Sequence, residues 1–117
     1  SPRREFLYVN DMADVSFFVL GLPKKYFDKL GTAMLWHINI GMRQDISILD
    51  LSELIEKVVG FTGEILFLYS EPNGTPKKSL SVDKINKLGW RHKIGLEEGL
   101  RDTYRWFLQN QNLSYRN

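Results

Sequence analysis

The sequence predicts an α/β fold. Segments rich in β-formers alternate with segments of helical periodicity, and the helix ends carry capping residues. One run, Ile65-Leu66-Phe67-Leu68-Tyr69, is continuously apolar, as strands buried on both faces of a parallel sheet are.

Glu5 to Val9 reads as a short strand, because Phe6, Leu7, Tyr8 and Val9 all favour extended backbone. Asn10 or Asp11 is placed to cap a helix whose apolar stripe is Met12, Val15, Phe18, Val19 and Leu22. Pro23 ends or restarts it, and a short helix is expected from Lys24 to Leu30 with Gly31 as its stop. Met34 to Ile40 reads as a strand closed by Gly41.

Ser47 with Asp50 forms a capping box in which Asp replaces Glu. Behind it Leu51, Leu54, Ile55, Val58 and Val59 make a helical stripe, and Gly60 is the C-terminal stop. Gly63 opens the apolar strand through Tyr69. Ser70 to Pro76, crowded with Pro72, Asn73, Gly74 and Pro76, is a loop. Ser81 is placed to cap a short helix, Val82 to Leu88, that stops at Gly89. The last helix begins near Leu96, with Leu96, Leu100, Tyr104, Phe107 and Leu108 as its buried face and Glu97/Arg101 as an exposed pair. The tail after Asn110 is polar and expected to fray.

The 117 residues suffice for one domain with a modest core. A formal charge of +2 argues for neither nucleic acid nor a membrane surface. The absence of cysteine excludes disulfides and thiolate metal sites and fits a reducing cytoplasm. No apolar stretch approaches the ~20 residues of a membrane span. Ser1 to Arg4 is short, polar and basic, so no secretory signal is expected there.

The best candidate for chemistry is the loop Glu71-Pro72-Asn73-Gly74-Thr75-Pro76-Lys77-Lys78. Gly74 allows close backbone approach to a ligand, turn amides can cradle an anion, and the two lysines suit phosphate. Composition alone more often means a solvated turn with ordinary surface lysines. Arg3 and Arg4 offer a planar fork for a diphosphate, or are a frayed basic terminus.

Trp90-Arg91-His92-Lys93 mixes aromatic and basic residues, but the cluster is short; Trp90 is expected to pack against the final helix. His37 and His92 have no partner at metal-ligand spacing, and Ser47 and Ser81 are better explained as caps than as nucleophiles. There is no glycine-rich dinucleotide loop, and no tyrosine has a lysine four residues on, so no catalytic residue and no cofactor site are assigned.

Four blocks carry a resemblance. They are Arg4-Glu5-Phe6-Leu7-Tyr8-Val9-Asn10-Asp11-Met12-Ala13; His37-Ile38-Asn39-Ile40-Gly41 with Glu53 and Leu54; Val58-Val59-Gly60 through Pro72-Asn73-Gly74-Thr75-Pro76-Lys77-Lys78 to Leu88-Gly89-Trp90; and Gly99-Leu100 with Thr103-Tyr104 and Trp106-Phe107. From about Ser1 to Asn110 the chain resembles the C-terminal part of the GDP-L-fucose synthases. These are NADP-dependent epimerase/reductases acting on GDP-4-keto-6-deoxy-D-mannose, in the extended short-chain dehydrogenase/reductase superfamily.

The resemblance implies a single substrate-binding domain over residues 1–117, without the Rossmann domain that precedes it in the family. It implies that Arg4, Asn73 and Lys78 line a GDP-sugar pocket. Asn73 stands where the family usually has Asp, and Asn10 replaces one Asp of its usual pair. The implied intact enzyme is a cytoplasmic homodimer using NADP, and the fragment alone would bind no NADP and be inactive. Two alternatives remain: the substrate domain of another sugar-nucleotide epimerase or dehydratase, or a non-catalytic binding module.

Overall fold

A computed structural model describes residues 1–28, 37–78 and 81–111. The described residues form a mixed α/β unit of several helices and one very small sheet. In chain order the elements are β1 (Arg3–Arg4), α1 (Val9–Leu20), α2 (Lys24–Asp28), β2 (Ile46–Ser47), α3 (Ile48–Val59), β3 (Lys77–Lys78), α4 (Asp83–Lys87) and α5 (Leu96–Gln109). β1 is the middle strand. It runs antiparallel to β2, pairing Arg3 with Ser47 and Arg4 with Ile46, and parallel to β3, pairing Arg3 with Lys77 and Arg4 with Lys78.

Local chemistry accounts for the helix ends of α3. Ser47 Oγ accepts from the Asp50 amide at 3.0 Å, the first half of the expected capping box, while the Asp50 carboxylate accepts from the Ser47 hydroxyl at 2.6 Å rather than from the Ser47 amide. Gly60 ends the helix with φ 75°, a left-handed value that glycine adopts without a Cβ clash. The amphipathic face of α3 lies against α5, yet none of its side chains is fully buried.

The core sits elsewhere. Val15 of α1, Val82 and Ile85 at α4, and Trp90 form its buried cluster, with Leu7, Phe18, Val19, Ile38, Ile40 and Leu88 packed around it. The Trp90 indole N–H donates to Asp14 at 2.9 Å. Trp90 therefore joins α1 to α4 rather than packing on the final helix. Two α1 carboxylates anchor the segment after it. Asp11, 2% exposed, accepts from the amides of Lys93 at 3.0 Å and Ile94 at 2.9 Å. Asp14 also pairs with Lys93 Nζ at 3.1 Å. Among the described residues no buried side-chain polar atom lacks a partner.

Several expectations are corrected. Residues 5–8 form no ladder; the strand is Arg3–Arg4, because only there does the backbone meet partners on both sides. Glu5 instead turns its carboxylate to the amides of Met42 and Arg43. α1 is capped by neither Asn10 nor Asp11: Tyr8 is its N-cap, without a side-chain bond, and Asp11 spends its carboxylate on the distant amides.

The run Ile65–Tyr69 forms no strand and is not buried; Leu66 is 76% and Tyr69 93% exposed, and no strand or helix among the described residues pairs with it. Residues 37–40 pair with no strand, and Met34, Leu35 and Trp36 lie outside the described residues, as do Lys29, Leu30, Gly31 and the tail after Gln111. Ser81 does not cap α4, whose N-cap is Val82. On α5 only Gly99 is buried, and Phe107 and Leu108 are exposed, since contact with α3 and Tyr8 covers only part of the helix. No helix among the described residues is long and apolar enough to cross a membrane.

Candidate functional site

The parallel pairing of β1 with β3 brings the two basic segments of the sequence together. β3 is the end of the Pro/Gly-rich loop, and the register sets residue 78 opposite Arg4. The Arg3 amide donates to the Pro76 carbonyl at 2.8 Å, extending the ladder by one bond. Arg4 is half-buried. Its Nη1 donates to the carbonyls of Arg3 and Thr75, both at 2.7 Å. Among the described residues its Nε and Nη2 make no bond to protein. These are the two donors left for an external acceptor, and a guanidinium offers them in a planar fork.

Gly74 lets Arg4 lie where it does. A Cβ at position 74 would stand 3.2 Å from Arg4 Nη2. Asn73 is exposed on the same loop and, with Gly74, Glu71, Tyr69, Leu49 and Pro2, lines a cleft of about 500 Å³. That size falls in the range of small-molecule pockets, about 300–1,000 Å³. The side chain of Lys78 lies outside the described residues. Of the three expected ligand-binding residues, the fold thus brings the Arg4 side chain to the loop that carries Asn73, and the backbone of residue 78 to the same place.

Arg3 has a different fate. Adjacent residues of a strand face opposite sides of the sheet. Arg3 Nε and Nη2 both reach Asp45 Oδ1 at 2.7 Å, and Lys77 Nζ reaches Asp45 Oδ2 at 3.1 Å. The expected diphosphate fork of Arg3 with Arg4 does not form, and the frayed terminus is also absent, since Arg3 and Arg4 are the central strand. The guanidinium of Arg3 and then the ammonium of Lys77 hold the Asp45 carboxyl below the usual aspartate value of 3.8. Asp45 was not visible as a functional residue in the sequence; Arg3 stands 42 positions away.

Other candidates take structural roles or none. His37 is exposed, and among the described residues no group of three or more His, Asp or Glu could hold a metal ion. Glu97 pairs with Arg101 at 2.8 Å, as its spacing predicts, and also with Lys57 at 3.1 Å, tying α5 to α3. Arg101 and then Lys57 lower the Glu97 pKa from 4.5.

No family model matches the chain. Individual proteins do. The GDP-L-fucose synthase of Escherichia coli K12 is 46% identical over 112 residues, which is 96% of this chain and 35% of that protein. Among solved structures, a GDP-6-OMe-4-keto-L-xylo-heptose reductase of C. jejuni superposes with a TM-score of 0.85 at 35% identity, over 93% of this chain and 32% of the other. A GDP-D-glycero-L-gluco-heptose synthase of Campylobacter jejuni, solved in the presence of NADPH, gives a TM-score of 0.81 at 35% identity, covering 92% and 31%. The chain spans about a third of the length of each of these relatives.

Proposed function

From the premise that this chain belongs with the C-terminal part of the GDP-L-fucose synthases, in the extended short-chain dehydrogenase/reductase superfamily, we propose that it is the GDP-sugar-binding part of such an enzyme. In this reading residues 1–117 are one substrate-binding domain of a larger, cytoplasmic, homodimeric protein. That protein converts GDP-4-keto-6-deoxy-D-mannose to GDP-L-fucose with NADP. Arg4, Asn73 and Lys78 bind the substrate.

The observation that carries this reading is the β1–β3 pairing, which sets an arginine with two unbonded donors against the Pro/Gly-rich basic loop. A diphosphate is the ligand such donors suit. Asn73 would complete the contact as a polar group at the cleft. Among the described residues no strand leads through a glycine-rich turn into a helix, so no residue of this chain is assigned to NADP, and no step is derived through it.

The shape supports a larger enzyme. The Cα radius of gyration is 17.9 Å, against roughly 13 Å for a compact chain of this size. α1 presents Phe17 and Leu20 at 79% and 83% exposure, beside a cleft bounded by Ile38 and Ile40. An apolar face of this kind is suited to packing against another domain. The fragment alone would then be inactive, holding sugar but moving no hydride.

The test has two parts. Full-length protein should oxidise NADPH with GDP-4-keto-6-deoxy-D-mannose; no oxidation ends the assignment. Amide NMR of this chain titrated with GDP and with UDP should show shifts at Arg4 and residues 73–78, with GDP preferred. The likeness to GDP-heptose enzymes favours one second reading, a GDP-sugar reductase acting on another sugar. Faster turnover of a GDP-keto-heptose than of the deoxyhexose would select it.

A further inference from the structure

The GDP-sugar reading leaves one strong interaction without a role: the three-way contact of Asp45 with Arg3 and Lys77. We propose that Asp45 is a positioning residue for the substrate site, clamping β3 to β1 so that the basic loop is held against Arg4. The inference rests on the functional reading above and adds to it a residue that touches no substrate.

The geometry is specific. Asp45 immediately precedes β2, yet its carboxylate binds one cation from each of the other two strands. Oδ1 takes Arg3 of β1 and Oδ2 takes Lys77 of β3. Arg3 Nη2 also donates to the Asp45 main-chain carbonyl at 3.2 Å, which fixes the guanidinium from two sides. The Asp45 side chain is only 16% exposed, so it is the sheltered member of the trio.

The clamp is needed because β3 is so short. Two residues of parallel pairing supply few ladder bonds, and among the described residues β3 is the edge of the sheet. Arg3 and Lys77 are register partners, as are Arg4 and Lys78. Fixing the first pair through Asp45 fixes the second by one step along the same two strands. The carboxylate also engages two cations, and cancels the charge of one, that would otherwise compete with Arg4 for an anion. Arg3 and then Lys77 hold its pKa below the ordinary aspartate value, so the carboxylate form that makes both contacts is the favoured one.

Positioning and simple charge predict opposite signs. Asp45→Asn adds one positive charge near the site. If Asp45 acted only through space, GDP, an anion, would bind more tightly. If Asp45 positions the loop, GDP binds more weakly. The experiment measures GDP dissociation constants by calorimetry, and KM and kcat for the GDP-sugar, in the full-length enzyme. For Asp45→Asn the expected result is a Kd and KM about tenfold higher, in the usual range of coupling between contacting residues. kcat should stay within about twofold, because no reacting atom is touched. In an Arg3→Gln/Lys77→Gln background the same change should have almost no effect.

An unchanged or tighter Kd, or an equal loss in the double-glutamine background, overturns the positioning role. Arg4→Ala separates the two readings. If it weakens GDP binding while Asp45→Asn does not, the site stands and the clamp falls. If Arg4→Ala leaves GDP binding unaltered, both fall.

Discussion

Asp11 is the residue whose removal should damage the fold most per atom lost. Its carboxylate is buried and accepts two main-chain amides, Lys93 and Ile94, 82 and 83 positions away. A hydrogen bond to a charged acceptor contributes about 1.5–3 kcal/mol, and an amide left without a partner costs about 1–3 kcal/mol. Ile94 is half-buried, so its amide is poorly placed to recover a water, whereas Lys93 is exposed. Asp11→Ala should therefore cost about 3–5 kcal/mol.

Asp11→Asn keeps one acceptor oxygen but turns an NH2 toward the second amide, and should cost about 2–3 kcal/mol. Against a total of about 5–15 kcal/mol, the Ala variant leaves little reserve, so the Asn variant is the better measurement. Urea unfolding followed by Trp fluorescence reads it. With a slope of about 1.5 kcal/mol/M, the Asn midpoint should fall by roughly 1.3–2 M. The amides of Lys93 and Ile94 should lose hydrogen-exchange protection before the rest. A midpoint shift below about 0.3 M, or unaltered protection at those amides, would refute the reasoning.

Three further outcomes are expected. Arg43 has φ 63° in the turn that Glu5 anchors, and its pair with Asp83 is exposed; Arg43→Gly should gain roughly 0.5–1 kcal/mol, read as a higher Tm. Gly60→Ala should lose about 1 kcal/mol, because the left-handed C-cap of α3 then carries a Cβ; an unchanged Tm would count against that cap. Three carboxyls have lowered pKa values: Asp14 through the Trp90 indole and Lys93, Asp45 through Arg3 and Lys77, and Glu97 through Arg101 and Lys57. Each binds its proton less readily folded than unfolded. Their stabilisation is present above the ordinary values of 3.8 and 4.5 and is lost as pH falls through the lower folded values. The urea midpoint should drop below about pH 4, and an Asp14→Asn/Asp45→Asn/Glu97→Gln variant should show a shallower acid limb.

The sequence showed clearly whatever is decided within one turn of chain. The Ser47 cap on the Asp50 amide, the Gly60 stop and the Glu97–Arg101 pair are all local, and all stand where their spacing put them. What depends on distant partners has no local signature. Phe6-Leu7-Tyr8 and Ile65–Tyr69 have strand composition, but composition cannot supply a neighbouring strand. Arg3–Arg4 has poor strand composition and is nevertheless the central strand, because β2 and β3 flank it. The same holds for the site. Charge and resemblance point to Arg4 and composition points to the loop, but their contact runs through the Thr75 carbonyl and leaves no local trace. Asp11, read as a cap, and Asp45, not singled out, have their partners in remote segments for the same reason.

Arg4 and Thr75 stand 71 positions apart, and the parallel pairing beside them joins equally distant segments. Closing so long a loop is entropically costly for a reward of very few bonds, whereas α3 and α5 need only their own turns and each other. The helices should therefore mature early and the sheet late. A sample with its full helical circular dichroism can still contain molecules in which β1 and β3 have never met. Helicity is then a poor measure of complete folding, and the Arg4–Thr75 contact, not the helix content, becomes the true count of folded protein.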